Sequence, residues 1–436
     1  MKRVLIITHF FPPSQCPASV RLGKMAKYLP EFGWELRVLT VPPEIHPHPT
    51  TLPVEVPESW VVRARYCDPL TSLERQVYVA SGRTGRAAVR SAKRGTPTSY
   101  LRPLLRALWR LFPLNYTRFP DRAVLWYVPG IRAGLELIRE WHPSVLFSSS
   151  GPVASHVIGS VLRRWTDIPW VADYRDLWTN NHGVVYPRWV DKLECVLEKW
   201  VLKPADVLTT VSEALAAYLR ILHNKQVEVV TNGFDEDDFD QPVTLLKPFT
   251  ITYTGQVDLT VLNPSSLFAA MTQLQADKFI TPETFSVRFF GPSPGPTLLA
   301  LAEQHGVAPY VRVEGSIPYA ESVRRQKEST VLLMLNWSGR PVEGILSSKL
   351  LEYLGAGRPI LAVGPRDPGV SAILAETQAG WWSDNPAEIA GQLREWITWY
   401  DRLGDLPLQM DKRKVARFGR RAQTHVLADI LARVAE

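Results

Sequence analysis

The chain opens on a short apolar run, residues 2–8. A turn over 9–17 follows, then apolar positions at helical spacing (Val20, Leu22, Met25, Ala26, Leu29), then a second apolar run at 34–41. This strand–helix–strand opening is that of a doubly wound sheet, with helices on both faces. The alternation continues with strands at 144–148, 170–172, 207–211 and 227–230 and helices at 153–165 and 192–202. It starts afresh with a strand at 250–253, then helix 264–274, strand 286–290, helix 296–305, strand 311–314, helix 319–327, strand 331–335, strand 360–363 and helix 386–400. At 436 residues the chain is too long for one core, so two α/β domains of roughly 200 residues each are expected. The boundaries read as a first domain over 1–234, a linker over 235–248 that is acidic and proline-punctuated, and a second domain over 249–412. A last helix within 413–436 lies beyond a complete second sheet and is expected to return to the first domain.

Composition narrows the class. Hydrophobic residues make up 45% and charged residues 21%, as in a globular protein, and no apolar run approaches the roughly 20 residues that span a bilayer. The run Val4-Leu5-Ile6-Ile7 is broken at once by Thr8 and His9, so it reads as a first strand and not a signal peptide. Cys16, Cys67 and Cys195 are odd in number and lack metal-ligand spacing, which favours a reducing cytosol. The turn 8–17 contains no glycine, so there is no dinucleotide fingerprint and a dehydrogenase is excluded.

The net charge of +7 belongs to one segment. Residues 75–120 hold ten Lys or Arg and no Asp or Glu, leaving the remainder at −3. Within the segment Leu101, Leu104, Leu105, Leu108, Leu111 and Phe112 recur at helical spacing, with Arg102, Arg106 and Arg110 on the other face and Trp109 and Tyr116 nearby. A basic amphipathic helix with interfacial aromatics fits a monotopic contact with an anionic membrane. A leucine face covering the domain core is the alternative. Nucleic acid fits less well, because the aromatics are not interleaved with the arginines for stacking.

Residues 344–357 carry the chemistry. Glycine opens a turn onto a short helix that begins with serine, places Lys349 and Glu352 one turn apart, ends at Gly357 and runs into an apolar strand. Backbone N–H groups over 344–348 and the positive end of the helix dipole suit a diphosphate, and Lys349 adds a full charge. Glu352 is too far along for a phosphate but could accept from ribose hydroxyls. An ordinary capped helix feeding a buried strand is the plainer alternative.

Five pieces, in this order, resemble a GT-B glycosyltransferase close to glycosyltransferase family four, the retaining nucleotide-sugar-dependent enzymes. They are Ile7-Thr8-His9-Phe10-Phe11-Pro12-Pro13, Pro169-Trp170-Val171-Ala172-Asp173-Tyr174-Arg175-Asp176-Leu177-Trp178, Val230-Thr231-Asn232-Gly233-Phe234-Asp235, Thr252-Tyr253-Thr254-Gly255 and the stretch 344–357. The basic insert, with Pro120-Asp121-Arg122 and Trp126, further resembles members acting on polyprenyl-diphosphate-linked sugars in exopolysaccharide or O-antigen assembly. The resemblance implies two Rossmann-like doubly wound domains facing across a cleft. It implies diphosphate contacts from Gly344, Ile345, Leu346 and Ser347, a ribose contact from Glu352, and turns at Gly255, Gly291 and Gly315 bordering the donor. Where relatives carry a first glutamate this chain has Gly344, and where they carry an Arg and a Lys after the Tyr-Thr-Gly piece it has Gln256, Val257 and Asp258. Lys349 and Arg340 are therefore the candidates to neutralise the diphosphate.

In the first domain Asp173-Tyr174-Arg175-Asp176 ends a strand at the sheet edge. Asp176 could take or orient the acceptor proton and Arg175 could bind a phosphate, or the two could simply fix the loop. Ser149 and Ser150 precede a helix and could meet the donor or a lipid diphosphate. His156 reads more readily as a packed core histidine than as an acceptor contact, and His9 follows the first strand without a visible partner. The expected activity is transfer of a sugar from a UDP- or GDP-sugar to a glycan acceptor on a polyprenyl diphosphate, with no metal and no other cofactor. Its expected place is the cytoplasmic face of the cell membrane. A nucleotide-sugar 2-epimerase and a non-catalytic membrane-binding scaffold of the same fold are the alternatives. Oligomeric state is not legible.

Overall fold

A computed structural model describes residues 2–46, 48–66, 120–180, 188–291, 294–338, 347–407 and 409–436. The chain divides into two compact units, Met1–Thr231 with Thr424–Glu436, and Asn232–Gln423. All but the last residue of the basic segment 75–120 lies outside the described residues.

The first unit is a seven-stranded parallel sheet of β1 (Lys2–Thr8), β2 (Trp34–Thr40), β3 (Val61–Arg63), β4 (Val145–Ser149), β5 (Trp170–Tyr174), β6 (Val207–Thr210) and β7 (Val227–Val229), in the order β3-β2-β1-β4-β5-β6-β7. Alternate side chains of β1 enter two different cores. Val4 and Ile6 pack with Leu22 and Met25 of helix Pro17–Tyr28 and with Leu427 and Leu431 of helix Arg420–Val434. Leu5 and Ile7 pack with Leu137, Ile158, Leu202 and Leu219, from helices Tyr127–Trp141, Ala154–Thr166, Arg188–Leu202 and Glu213–His223. Burial on both faces is why these strands read as unbroken apolar runs.

The second unit repeats the plan with six parallel strands: β8 (Phe249–Thr254), β9 (Phe285–Phe290), β10 (Val311–Gly315), β11 (Val331–Leu335), β12 (Ile360–Val363) and β13 (Gly380–Ser383), ordered β10-β9-β8-β11-β12-β13. Leu333, Leu335, Leu361 and Val363 face the core under helices Ser265–Ala276, Gly295–Gln304 and Pro386–Leu403. Leu332, Met334, Ile360 and Ala362 face the core under helices Ser348–Ala356 and Pro368–Thr377. The strand order reverses direction between β1 and β4 and again between β8 and β11. At such a reversal the connections leave the sheet on opposite faces, so a crevice opens beyond the C-terminal ends of those strands.

Several elements differ from the sequence reading. Helix Tyr127–Trp141 was hidden by its own glycines, which have a packing purpose. A Cβ on Gly130 or Gly134 would come within 2.5 or 2.6 Å of Ile158 or Leu162 on the neighbouring helix. The final helix is not continuous: Lys412–Ala416 and Arg420–Val434 are separated by a turn in which Gly419 bridges to Phe234 and Phe418 O accepts from Phe234 N. The acidic stretch at the start of the linker expected over 235–248 belongs to the second unit. Asp235 is buried and its carboxylate caps the turn Glu236–Phe239, whose Phe239 joins a core. Strands β3 and β13 escaped the reading because both are short, partly exposed edge strands.

Gly159 sits where helix Ala154–Thr166 crosses Trp170, and an added Cβ would lie 2.8 Å from the indole Nε1. That ring cannot yield, being fully buried and tied to Ser148 Oγ by a 2.8 Å hydrogen bond. Gly159→Val is expected to cost about 1–3 kcal/mol of stability, read as a lower urea midpoint at unchanged slope.

Candidate functional site

In the second unit the ends of three neighbouring strands carry Gly255, Gly291 and Gly315, with φ of +124°, +128° and +78°. They are linked rung to rung: Gly255 N donates to Phe290 O and Gly291 N to Gly315 O, both at 2.7 Å. A Cβ on Gly291 would fall 2.3 Å from Gly255 O, so a side chain there would push the strand ends apart.

Lys349, in the first turn of helix Ser348–Ala356, reaches this rim. Its Nζ stands 3.6 Å from the centroid of the Tyr253 ring, and an added Cβ on Gly255 would lie 2.9 Å from its Cε. The cation–π contact compensates part of the lost hydration. Even so, burial pulls the Lys349 ammonium down to about 7, against the opposing charge of Glu352. The Tyr353 hydroxyl accepts from Thr254 N at 3.0 Å, which ties the same helix to the end of β8. No acidic residue stands in the helix's first turn, and its N-cap, Ser347, makes no side-chain bond to it. Among the described residues no side chain caps this helix start, so its first N–H groups and a lysine ready to take a proton suit an anion.

Glu352 lies one turn further along. Burial raises its carboxyl to about 7, countered by a hydrogen bond from Gln326 and by the positive charges of Arg420 and Lys349, while Asp238 pushes it further up. Gln326 in turn donates to Thr254 Oγ1 at 3.0 Å, so the carboxylate is held on a network anchored to β8. At the end of β11, Asn336 is buried with its Nδ2 on Pro365 O and its Oδ1 without a partner. The structure thus brings together Gly255, Gly291, Gly315, Ser347, Lys349 and Glu352 at the C-terminal edge of one sheet. Gly344, Ile345, Leu346 and Arg340 lie outside the described residues.

The first unit places its candidates differently. Asp173 is a fully buried junction: Oδ1 accepts from Arg21 Nη2 (3.1 Å) and Thr209 Oγ1 (2.9 Å), and Oδ2 from Ser149 Oγ (2.8 Å). Arg21 also donates to the carbonyls of Val230 and Thr231, so one guanidinium clamps helix Pro17–Tyr28 to the segment that follows β7. Arg175 donates Nε to Ser150 O and Nη2 to Gly151 O at 2.8 and 2.9 Å, which secures the loop after β4. Burial lowers the pKa of its guanidinium, with Asp176 opposing. Asp176 itself is exposed beyond the end of β5.

His156 is a core residue. It is fully buried, its Nδ1 is 2.8 Å from Ser148 Oγ, and burial lowers it to about 3, so the ring is neutral. His9 is buried against Tyr66, with Nε2 at 2.8 Å from its hydroxyl, and His46 bonds to the His9 carbonyl at 3.0 Å. Burial and the neighbouring His46 hold the His9 ring neutral. The helix N-terminus after Ser149 and Ser150, considered above for a diphosphate, is filled by the chain's own anion. Asp121 Oδ2 accepts from Ala154 N at 2.8 Å, while Oδ1 accepts from Ala123 N at 2.7 Å. Burial lifts this carboxyl to about 6 although backbone N–H groups pull it down.

Arg21 and Asp121 were missed as organising residues. The available signal for Arg21 was a cation four residues before Met25, on the apolar side of the first helix. Among the described residues no cluster of three His, Cys, Asp or Glu is placed to hold a metal ion, and no helix is long and apolar enough to cross a membrane.

Residues 18–233, just under half of the chain, match the family model described as glycosyl transferase 4-like domain. No curated protein matches the sequence. Solved structures share the fold over nearly the whole chain. Sucrose-phosphate synthase from Thermosynechococcus elongatus is 14% identical with a TM-score of 0.53, covering 100% of this chain and 96% of its own. Anabaena HepE in complex with UDP is 11% identical with a TM-score of 0.51, covering 99% and 95%. The lipopolysaccharide outer core galactosyltransferase WaaB is 12% identical with a TM-score of 0.54, covering 99% and 100%. The chain therefore has the GT-B fold, and the family match with the fold supports a glycosyltransferase.

Asp173→Asn weakens the acceptor of the buried Arg21 charge. Removing one partner of such a pair costs about 3–5 kcal/mol, which should appear as a lower midpoint in chemical denaturation.

Proposed function

We propose that the chain is a nucleotide-sugar-dependent glycosyltransferase whose donor diphosphate seats at the start of helix Ser348–Ala356. The observation that carries this reading is Lys349: a half-buried lysine, titrating near neutrality, at the strand-order reversal of a parallel sheet and beside a helix N-terminus with no acid in its first turn. A diphosphate at that place restores the ammonium, and the restored charge then stabilises the negative charge that grows as the glycosidic bond breaks. Glu352 accepts from the ribose hydroxyls. The glycines at 255, 291 and 315 let the backbone approach the donor closely. UDP is the first nucleotide to test, because a neighbour of the same fold is solved with it; GDP is the second.

The departing phosphate serves as base on the same face of the sugar, which gives retention, and Asp176 orients the acceptor hydroxyl. The acceptor is a glycan on a polyprenyl diphosphate in surface polysaccharide synthesis. The protein works peripherally at the cytoplasmic face of the membrane, held through residues 75–120, and needs no metal.

Lys349→Ala should weaken UDP binding about 10- to 100-fold in titration calorimetry, the loss expected for a charge-assisted hydrogen bond of about 1.5–3 kcal/mol. The proton balance gives a second check. At about pH 8 free Lys349 is mostly neutral and gains a proton as UDP binds; at about pH 6 Lys349 is already charged, and Glu352 releases a proton to meet the ribose. Net uptake should therefore turn to net release on crossing pH 7, read from binding heats in buffers of different ionisation enthalpy; a balance with no change of sign contradicts the two roles.

For Asp176→Asn the acceptor kcat/KM should fall by no more than about 100-fold with donor binding intact, since the residue only orients. A fall of about 10,000-fold makes it the base and the reaction inverting. Incubation with donor alone separates a transferase, which at most hydrolyses it slowly, from an epimerase, which yields the isomeric sugar.

A further inference from the structure

Exposed large apolar side chains of the first unit gather on the helix layer that covers one face of its sheet, and four of them belong to helix Arg188–Leu202. Trp189 (66% exposed), Leu193 (50%), Val196 (66%) and Trp200 (57%) follow one another at intervals of four, three and four residues. At about 100° per residue they fall within roughly 60° of arc, a single stripe about 16 Å long. The helix already spends another side on the core, through Val190, Val201 and Leu202. It is apolar on two sides, and among the described residues the side bearing Leu193, Val196 and Trp200 stays largely exposed.

Charge decides what covers the other. Lys192 and Lys199, seven residues apart and both exposed, line one edge of the stripe, and Lys203 stands exposed just past the helix end. Arg164, from the adjacent helix, lies over the Trp200 ring at 4.3 Å and donates to its carbonyl, beside exposed Trp165. Both glutamates of the helix, Glu194 and Glu198, are turned inward and buried, and its one exposed acid, Asp191, falls on the opposite side of the helix from the stripe. Lysine is depleted where protein cores meet each other. A row of lysines beside tryptophan and aliphatic side chains suits the boundary between acyl chains and anionic headgroups, where indole rings sit at headgroup level and lysine stems let the ammonium reach phosphate.

We propose that helix Arg188–Leu202 lies flat on an anionic lipid surface. Leu193, Val196 and Trp200 enter the acyl boundary, and Lys192 and Lys199 meet the headgroup phosphates. The inference rests on the reading of the protein as a membrane-peripheral transferase and adds a contact separate from residues 75–120.

The full-length protein is floated with vesicles of phosphatidylcholine, with and without phosphatidylglycerol. Three variants accompany it: Leu193→Ser/Val196→Ser/Trp200→Ser, Lys192→Glu/Lys199→Glu, and Arg102→Glu/Arg106→Glu/Arg110→Glu. The two helix variants should each lose about tenfold or more in affinity for the anionic vesicles, with the melting shift given by UDP unchanged. Should the apolar variant lose that shift, the lysine variant decides alone. Helix variants that float like the parent while the arginine variant does not would overturn the inference and leave the membrane-peripheral reading standing. A parent protein that does not float removes both. An unaltered lipid affinity with a dimer that dissociates in the apolar variant, seen by sedimentation velocity, reassigns the stripe to a contact between two copies.

Discussion

A parallel sheet with helices on both faces leaves only its ends open, and that confinement governs this molecule. In each unit the faces are closed by two apolar cores, so chemistry is left to the turns beyond the C-terminal strand ends. The reversal of strand order then selects one place along each edge, between β1 and β4 and between β8 and β11. Residues far apart in the sequence, such as Gly255 and Lys349, meet because both belong to the second of these places.

The two edges have been put to different use. In the first unit, the polar groups at the strand ends are mostly satisfied by one another: Asp173 by Arg21, Ser149 and Thr209, and Arg175 by the carbonyls of 150 and 151. The helix after β4 has its N-terminus answered by Asp121. In the second unit no such carboxylate caps the helix after β11 among the described residues, and burial draws the lysine in its first turn down to about 7. The same architecture thus yields one edge whose charges are settled by one another and another that, on the function proposed above, keeps its charge for the donor diphosphate.

Much of this could be read from residues alone, for a definable reason. Strands buried on both faces announce themselves as apolar runs, and of the thirteen strands among the described residues eleven were read, the partly solvated edge strands β7 and β10 included; the two missed, β3 and β13, are short edge strands with partly solvated side chains. The grouping of Lys349 with Glu352 followed from helical spacing. The partners that set their protonation, Tyr253, Gln326 and Asp238, come from other elements, and no local pattern points to them. Hidden for the same reason were the capping role of Asp121, 33 residues from the amide it binds, and the burial of Asp235. Sequence periodicity reports which side of an element is dry; it is silent on which distant polar group that side will meet.

The glycine rungs at 255, 291 and 315 have a further consequence. Their hydrogen bonds run between main-chain atoms, and every residue type but proline offers the same ones. A rim constructed in this manner is indifferent to substitution almost everywhere around it and intolerant at a few points where any methyl would collide. A sheet edge built in this way tolerates wide divergence of sequence, and solved structures that share this fold are only 11–14% identical to the chain.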